Sequence, residues 1–321
     1  MPNIKFAFLG ATNYSKELLL FLIEKSFIPS VIFAIPKEFS ISYSEEKVKN
    51  TNYANLEEIA KEYGIPYFEV DSTEGKRLKD YSTLIKEMNL DLLLVLGWYY
   101  MIPTTIRDLT KYGAWGIHAS LLPKYAGGAP LVWAIINGEK ESGVTLFRME
   151  DGVDDGDIIA QERVAIAYED TIKEVYENAT KKSKDILVTV FKNFDNLTFT
   201  KQDKERIEVF PQRSPEDGDI DWSSSALSIY NFIRAQTLPY PCAFSLINGN
   251  RLKIISSRVI DIENRNYQYG EVVLLDDRAV VATKDNFLEI ELLNDGTEEY
   301  RFKNYANIHN LYGKIFETKK S

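Results

Sequence analysis

The chain has 321 residues, enough for two domains that each bury a core, and its 45% hydrophobic and 27% charged residues are ordinary for a globular protein. A net charge of −10 argues against a large polyanion as the main partner, because phosphate binding needs a concentrated basic surface, so no nucleic-acid partner is expected. One cysteine, Cys242, excludes an intramolecular disulfide framework and fits a cytoplasmic location, and with two histidines it is too little for a zinc site of the usual kind, so no metal is expected.

"MPNIKFAFLG" reads as an opening strand rather than a secretory signal. The longest apolar runs, Leu18 to Ile23 and Leu92 to Leu96, are too short to span a bilayer, so no membrane partner is expected. The runs 5–10, 29–36, 66–70 and 91–98 are short, apolar and rich in β-formers, as buried parallel strands are. Between them, Ser15 to Lys25, Asn55 to Tyr63 and Glu74 to Met88 have helical periodicity. The alternation predicts βαβ units with right-handed crossovers and therefore an open, doubly wound α/β sheet.

"AWGIHASLL" continues as a strand entering a loop, and 143–149 and 157–166 read as strands flanking an acidic turn. Asp170 is the predicted N-cap of a helix in which Ile172, Val175, Tyr176, Ala179, Ile186, Leu187, Val190 and Phe191 share a face, closing the first domain near Leu197. The cluster Lys181, Lys182 and Lys184 reads as a solvated face of that helix.

A polar, turn-rich stretch, 198–222, is the best boundary, giving domains 1–203 and 204–321. Beyond it, one helix (Ser224 to Gln236) precedes short strands with turns at 248–250, 276–277, 284–286 and 294–296, the pattern of a small antiparallel, OB-like barrel.

Several sites fail on their spacing. The first strand ends in "GATNYS" instead of G-x-G-x-x-G, and there is no Walker A run, so a dinucleotide or P-loop reading lacks its anion cradle. "DGVDDGDIIAQE" nearly spells a calcium loop, but Val153 stands where an oxygen ligand belongs. No G-x-S-x-G elbow is present. What survives is His118 at a strand end, the Pro/Gly-shaped loop after it, and the acidic loop with Asp154. The topology puts both at the edge where doubly wound proteins bind ligands. A carboxylate beside imidazole makes a usable proton acceptor, but a lone buried histidine reads first as a core residue bonded to backbone.

The run "GIHASLLPKYAGGAPLVWAIINGEKESGVTLFRMEDGVDDGDIIAQ", 116–161, resembles the signature of the 10-formyltetrahydrofolate-dependent formyltransferases, in its N-x-H-x-S-L-L-P-x-x-x-G pattern and its spacing to an acidic-loop Asp. Residues 213–259 resemble the start of the C-terminal domain found in methionyl-tRNA formyltransferase and in nucleotide-sugar N-formyltransferases. The resemblance implies a Rossmann-like catalytic domain followed by the OB-like one. It also implies attack of a substrate amine on the formyl carbon of 10-formyltetrahydrofolate, the expected co-substrate, through a tetrahedral intermediate.

By the same resemblance, His118 is the base or proton shuttle and Asp154 orients it. Asp151, Gly152, Val153 and Asp155 wall the pterin pocket, opposite Gly97, Trp98 and Tyr99. Two positions depart from the pattern. The family's Asn, which donates to the formyl oxygen, is Gly116, and an Arg common after "LLPKY" is Ala126. Stand-ins for the donor are a protonated His118, a backbone N–H, water, or a polar side chain of a neighbouring loop.

The acidic balance and the "SPEDGDID" boundary favour a compact nucleotide-linked amino sugar, as in surface-glycan or lipopolysaccharide synthesis, over a tRNA acceptor stem. Asn13, Tyr14, Lys124, Arg213 and Arg234 are the candidates to hold it. Competing expectations are methionyl-tRNA formylation, a folate- or nucleotide-binding homologue without catalysis, and hydrolysis of the formyl folate. A homodimer through the second domain is left open.

Overall fold

The computed structural model describes residues 4–39, 48–71 and 75–317. The elements run β1 (Phe6–Gly10), α1 (Asn13–Glu24), β2 (Val31–Ala34), β3 (Glu38–Phe39), β4 (Val48–Lys49), α2 (Glu57–Tyr63), β5 (Tyr67–Glu69), α3 (Ser82–Glu87), β6 (Leu92–Val95), α4 (Thr104–Arg107), β7 (Ala114–His118), β8 (Ala126–Gly127), α5 (Pro130–Ile136), β9 (Glu141–Arg148), β10 (Ile158–Ala165) and α6 (Ile172–Lys192). There follow β11 (Val209–Phe210), α7 (Ala226–Arg234), β12 (Ala243–Ile247), β13 (Asn250–Ile260), β14 (Val272–Leu275), β15 (Arg278–Ala282), β16 (Phe287–Asn294), β17 (Glu299–Arg301) and α8 (Phe302–Ile308).

The chain forms two compact units. The first comprises Met1–Ala126, Gly143–Arg163 and Ala179–Val209. It is built on a seven-stranded sheet in the order β10-β9-β7-β6-β1-β2-β5. The pairs β1–β2, β1–β6, β6–β7 and β2–β5 are parallel, and β7–β9 is antiparallel. Parallel strands covered on both faces need apolar side chains at every position, which is why β1, β2 and β6 are buried throughout. The order reverses between β1 and β6, so the carboxyl ends of these strands form the crevice in which doubly wound sheets hold ligands.

That crevice is closely packed. Ser15 Oγ donates to the Leu96 carbonyl at 2.5 Å and lies 2.9 Å from Thr12 Oγ1. Thr12 also caps α1 reciprocally with Ser15, so the helix starts at Asn13, two residues before its apolar stripe suggests. Gly97 has φ +65°, and a Cβ there would lie 2.2 Å from Thr12 Oγ1 and 2.5 Å from Ser15 Oγ. Gly97→Ala is therefore expected to cost about 3 kcal/mol or more in urea denaturation, and a loss below about 1 kcal/mol would contradict this packing.

Other boundaries move for local reasons. The helix expected over Glu74 to Met88 is a 3₁₀ turn, Leu78–Tyr81, followed by the short α3; the Arg77 N–H donates to Asp80 at 2.8 Å, which starts the turn there, and Glu74 lies outside the described residues. Asp170 is not the N-cap of α6. Its carboxylate accepts from Ala167 N–H, while Thr171 accepts from Lys173 N–H and is itself tied to Glu174. The lysine cluster on α6 is largely paired: Lys182 with Glu162 and Asp185, and Lys184 with Glu17.

The second unit comprises Gly127–Ser142, Val164–Asn178 and Phe210–Ser321, so packing does not follow a linear split at 203/204. The physical reason lies in three attachments. Trp133 Nε1 donates to the Pro211 carbonyl at 3.0 Å, Tyr168 stacks on Tyr230 at 4.8 Å, and Arg234 donates to the Asp170 carbonyl at 2.6 Å.

Its antiparallel sheet runs β12-β13-β16-β15-β14, with β17 on β16. The turns fall where Asn, Asp and Gly predicted them, with positive φ at Asn248, Gly249, Asp276, Asp277 and Gly296. Closure comes from a segment the sequence did not mark: Leu246 bridges Glu317 and Glu271 bridges Ile315, so the chain end joins the two sheet edges into a barrel. Trp222 stacks on Phe316 inside it at 5.3 Å. Helix α7 is shorter than the predicted Ser224 to Gln236 because Ser225 caps it.

Candidate active site

Strand β7 ends at His118, which is 9% exposed and faces two acceptors. Its Nε2 lies 2.7 Å from the Tyr125 carbonyl, and its Nδ1 lies 3.4 Å from Asp154 Oδ2. A carbonyl only accepts, so Nε2 is assigned the proton and Nδ1 is the nitrogen with the free lone pair in the neutral ring. A proton taken up at Nδ1 then sits between the ring and a carboxylate. The arrangement can accept a proton and hold it as an ion pair, which is what attack by an amine requires of a base.

The loop after His118 is held from below. Ser120 Oγ donates to the Lys124 carbonyl at 2.6 Å, and Thr145 Oγ1 donates to the Ser120 carbonyl at 2.6 Å. Gln161 Nε2 reaches both the Leu122 carbonyl at 2.8 Å and Thr145 Oγ1 at 2.9 Å. Ser120 thus shapes the turn that presents Tyr125, and Gln161 and Thr145, which sequence reasoning missed, support it.

Asp154 stands on the hairpin between β9 and β10 with φ +50°, a left-handed conformation unusual for a residue with a Cβ. The arms of this hairpin approach so closely that a Cβ on Gly156 would lie 1.8 Å from the Arg148 carbonyl. Asp151 accepts from Thr104 Oγ1 at 2.9 Å and pairs with Arg107, and these partners hold its carboxyl below the usual carboxylate range. Asp155 pairs with Lys204 at 2.8 Å, which keeps that ammonium above its ordinary range. A Cβ on Gly152 would meet the Asp155 carboxylate at 2.4 Å. Both flanking carboxylates therefore fix the hairpin, Val153 at its tip is 51% exposed, and Asp154 is the one aimed at His118.

Beside the β6 end, Trp98 is half-buried against Tyr100, with its ring N–H buried and without a hydrogen-bond partner among the described residues. Tyr99 is tilted against Phe39 at 5.0 Å, and its hydroxyl donates to Asn50 at 3.1 Å.

Two family models match this chain: "Formyl transferase" over residues 12–191 and "Formyl transferase, C-terminal domain" over residues 213–310. The chain belongs to the formyl transferase family. A methionyl-tRNA formyltransferase of Alkaliphilus oremlandii is 30% identical over 321 residues, covering 97% of this chain and 100% of the relative. Among solved structures, WlaRD, a sugar 3N-formyl transferase crystallised with dTDP and 5-N-formyl-THF, superposes with a TM-score of 0.64 at 22% identity, covering 93% of this chain and 100% of that one. The N-formyltransferase of Helicobacter canadensis in complex with folinic acid and dTDP-3-aminofucose gives a TM-score of 0.64 at 21% identity, covering 92% and 100%. These likenesses establish the shared fold.

In this formyltransferase, the structure separates the remaining candidates. Gly116 lies two residues before His118 on β7, and a Cβ there would make ordinary contacts of 3.5 Å with Met149 and Phe147. Steric need therefore does not explain the glycine. Ala126 is fully buried. Of the five candidates for holding an acceptor, Asn13, Tyr14 and Lys124 belong to the first unit and Arg213 and Arg234 to the second. Tyr14 donates to Ser183 at 2.9 Å, and Asn13 donates to Asn52 at 2.9 Å. Lys124 is exposed.

Arg213 lies over the Trp133 and Phe232 rings and donates to the Asp217 carbonyl and to Gln236. Arg234 is 7% exposed and donates to Asn231 and to the Ala167 and Asp170 carbonyls, all within the second unit. Burial lowers the proton affinity of both arginines. A cavity of about 490 Å³ within the second unit includes Arg213, Asp219 and Ser228 but neither His118 nor Asp154.

Proposed function

We propose that this chain transfers the formyl group of 10-formyltetrahydrofolate to the amine of a nucleotide-linked amino sugar. The observation that carries the formyl transfer is His118 held between the Tyr125 carbonyl and the Asp154 carboxylate at the open end of the parallel sheet. The amine attacks the formyl carbon and its proton passes to Nδ1 of His118, where Asp154 stabilises the imidazolium; the ring then gives that proton to the folate nitrogen as the tetrahedral intermediate collapses and expels it, leaving His118 neutral.

Charge supports the sugar as acceptor. Residues 210–321, the largest segment of the second unit, contain 13 Lys and Arg against 16 Asp and Glu, so this segment adds no basic excess for a tRNA backbone. A dianionic nucleotide sugar needs only a few local cations. The chain's full-length similarity to methionyl-tRNA formyltransferases favours the second reading, initiator tRNA as acceptor. Incubation with 10-formyltetrahydrofolate and dTDP- or UDP-amino sugars, followed by mass spectrometry, is expected to show a gain of one formyl group. Formylation of methionyl-tRNA with no sugar product would replace the first reading by the second, and formate release without any acceptor would point to hydrolysis.

A further inference from the structure

Behind the acidic hairpin lies a residue that no part of the mechanism above has used. The segment after α6 is laid along β10 by a reciprocal backbone pair, Ile158 N–H to Thr200 carbonyl and Thr200 N–H to Ile158 carbonyl, both 2.8 Å. Two residues on, Gln202 is 9% exposed, and its amide nitrogen donates to the carbonyls of both Asp154 and Gly156, each at 2.7 Å. Two acceptors on one side of the amide fix which atom is nitrogen. The other end, Oε1, is buried with no hydrogen-bond partner among the described residues.

This is a poor way to stabilise a fold. A buried carbonyl oxygen deprived of hydrogen bonds costs free energy that an apolar side chain of the same shape avoids. The two bonds gained, however, fall on the carbonyls that flank Asp155, and Asp154 carries the left-handed backbone. That conformation is strained for a residue with a Cβ, and its neighbouring peptides rotate towards the ordinary regions unless something holds them. Turning the Asp154–Asp155 peptide, whose carbonyl Gln202 holds, redirects the Asp154 carboxylate away from His118, and the bond to the Gly156 carbonyl anchors the same amide to the far side of the turn.

We propose that Gln202 is a positioning residue for formyl transfer: its amide clamps the Asp154 and Gly156 carbonyls and so keeps the Asp154 carboxylate on His118 Nδ1. The inference rests on the reading of His118 and Asp154 as the proton-transfer pair. Gln202 acts only through Asp154, so its loss changes the rate of the chemical step and leaves folate and amine binding nearly intact.

The test uses Gln202→Met, which keeps the shape and removes both donors, and Gln202→Glu, which keeps the polarity and turns donors into acceptors. Each is expected to lower kcat by about tenfold to a hundredfold with both KM values within about threefold of wild type. In the Asp154→Asn background, Gln202→Met is expected to have no further effect, because the group it positions is already gone. A kcat unchanged in both variants, or losses that multiply in the double variant, overturns the proposal.

A second readout is independent of the acceptor. The chain has only two histidines, so the His118 ring is resolvable by ¹⁵N NMR. Its Nδ1 signal is expected to move in Gln202→Met in the same direction as in Asp154→Asn. An Nδ1 signal that responds to Asp154→Asn but not to Gln202→Met rejects the clamp even if the acceptor proves to be something other than a sugar. Failure of wild-type formyl transfer with an intact NMR response would instead reject the proposed function alone.

Discussion

His118→Ala is expected to lower kcat for formyl transfer by about 10²- to 10⁴-fold, the range typical of a lost general base, with little change in the KM for the folate. The ring lies on Asp154 and the Tyr125 carbonyl, so its removal takes away the only imidazole in the site and leaves the attacking amine to shed its proton to water. Asp154→Asn should produce a smaller loss than His118→Ala, because the ring remains but the charge that stabilises its protonated form does not. Stopped-flow measurement of single turnovers separates this chemical step from product release. A His118→Ala enzyme with wild-type single-turnover rate would show that the histidine is only a packing residue.

Gly116→Asn is expected to raise kcat by about tenfold to a hundredfold. Removing one preorganised donor from a developing oxyanion costs about 10²- to 10³-fold in rate, and a side-chain amide restored at this position should regain part of that. The backbone permits it: the new Cβ would meet Met149 and Phe147 at ordinary contact distance, and Gly116 has no left-handed φ to lose. Met149 is a flexible thioether and can move aside. The measurement is kcat on whichever acceptor the formylation assay yields, with the melting temperature as a control for folding. A folded variant with unchanged kcat would mean that another group already holds the oxyanion in this enzyme.

Much of the fold was legible along the chain. The parallel strands show because burial on both faces demands unbroken apolar runs, as in "LLLV" of β6, and the hairpin turns show because left-handed backbone selects Asn, Asp and Gly. Helix starts were less legible. Thr12 and Thr171 begin α1 and α6 through side-chain bonds that apolar periodicity does not register. The barrel was expected from its strands and turns, but the segment that closes it was not legible, since the bridging pairs Leu246–Glu317 and Glu271–Ile315 join residues distant in sequence.

The same division runs through the site. His118 and Asp154 could be named from one local stretch, because a strand, its loop and the following hairpin are adjacent in sequence and sterically constrained. Arg213 and Arg234 looked like ligands for a phosphate because arginine commonly is one; the structure spends them on carbonyls and aromatic rings. Gln202 carried no signal, being a polar residue in a polar connection.

By itself, the sequence determined the order of strands and helices, the turn positions, the strand end that carries His118 and the hairpin that carries Asp154, and the glycine at position 116. These depend on residue type at short range, through burial, backbone φ and spacing. Only the tertiary structure decided which charges are consumed internally, that the chain end closes the barrel, and that Gln202 holds the backbone of Asp154. Such contacts pair residues tens of positions apart, and a polar side chain's partner is set by the geometry of packing, which no local pattern encodes.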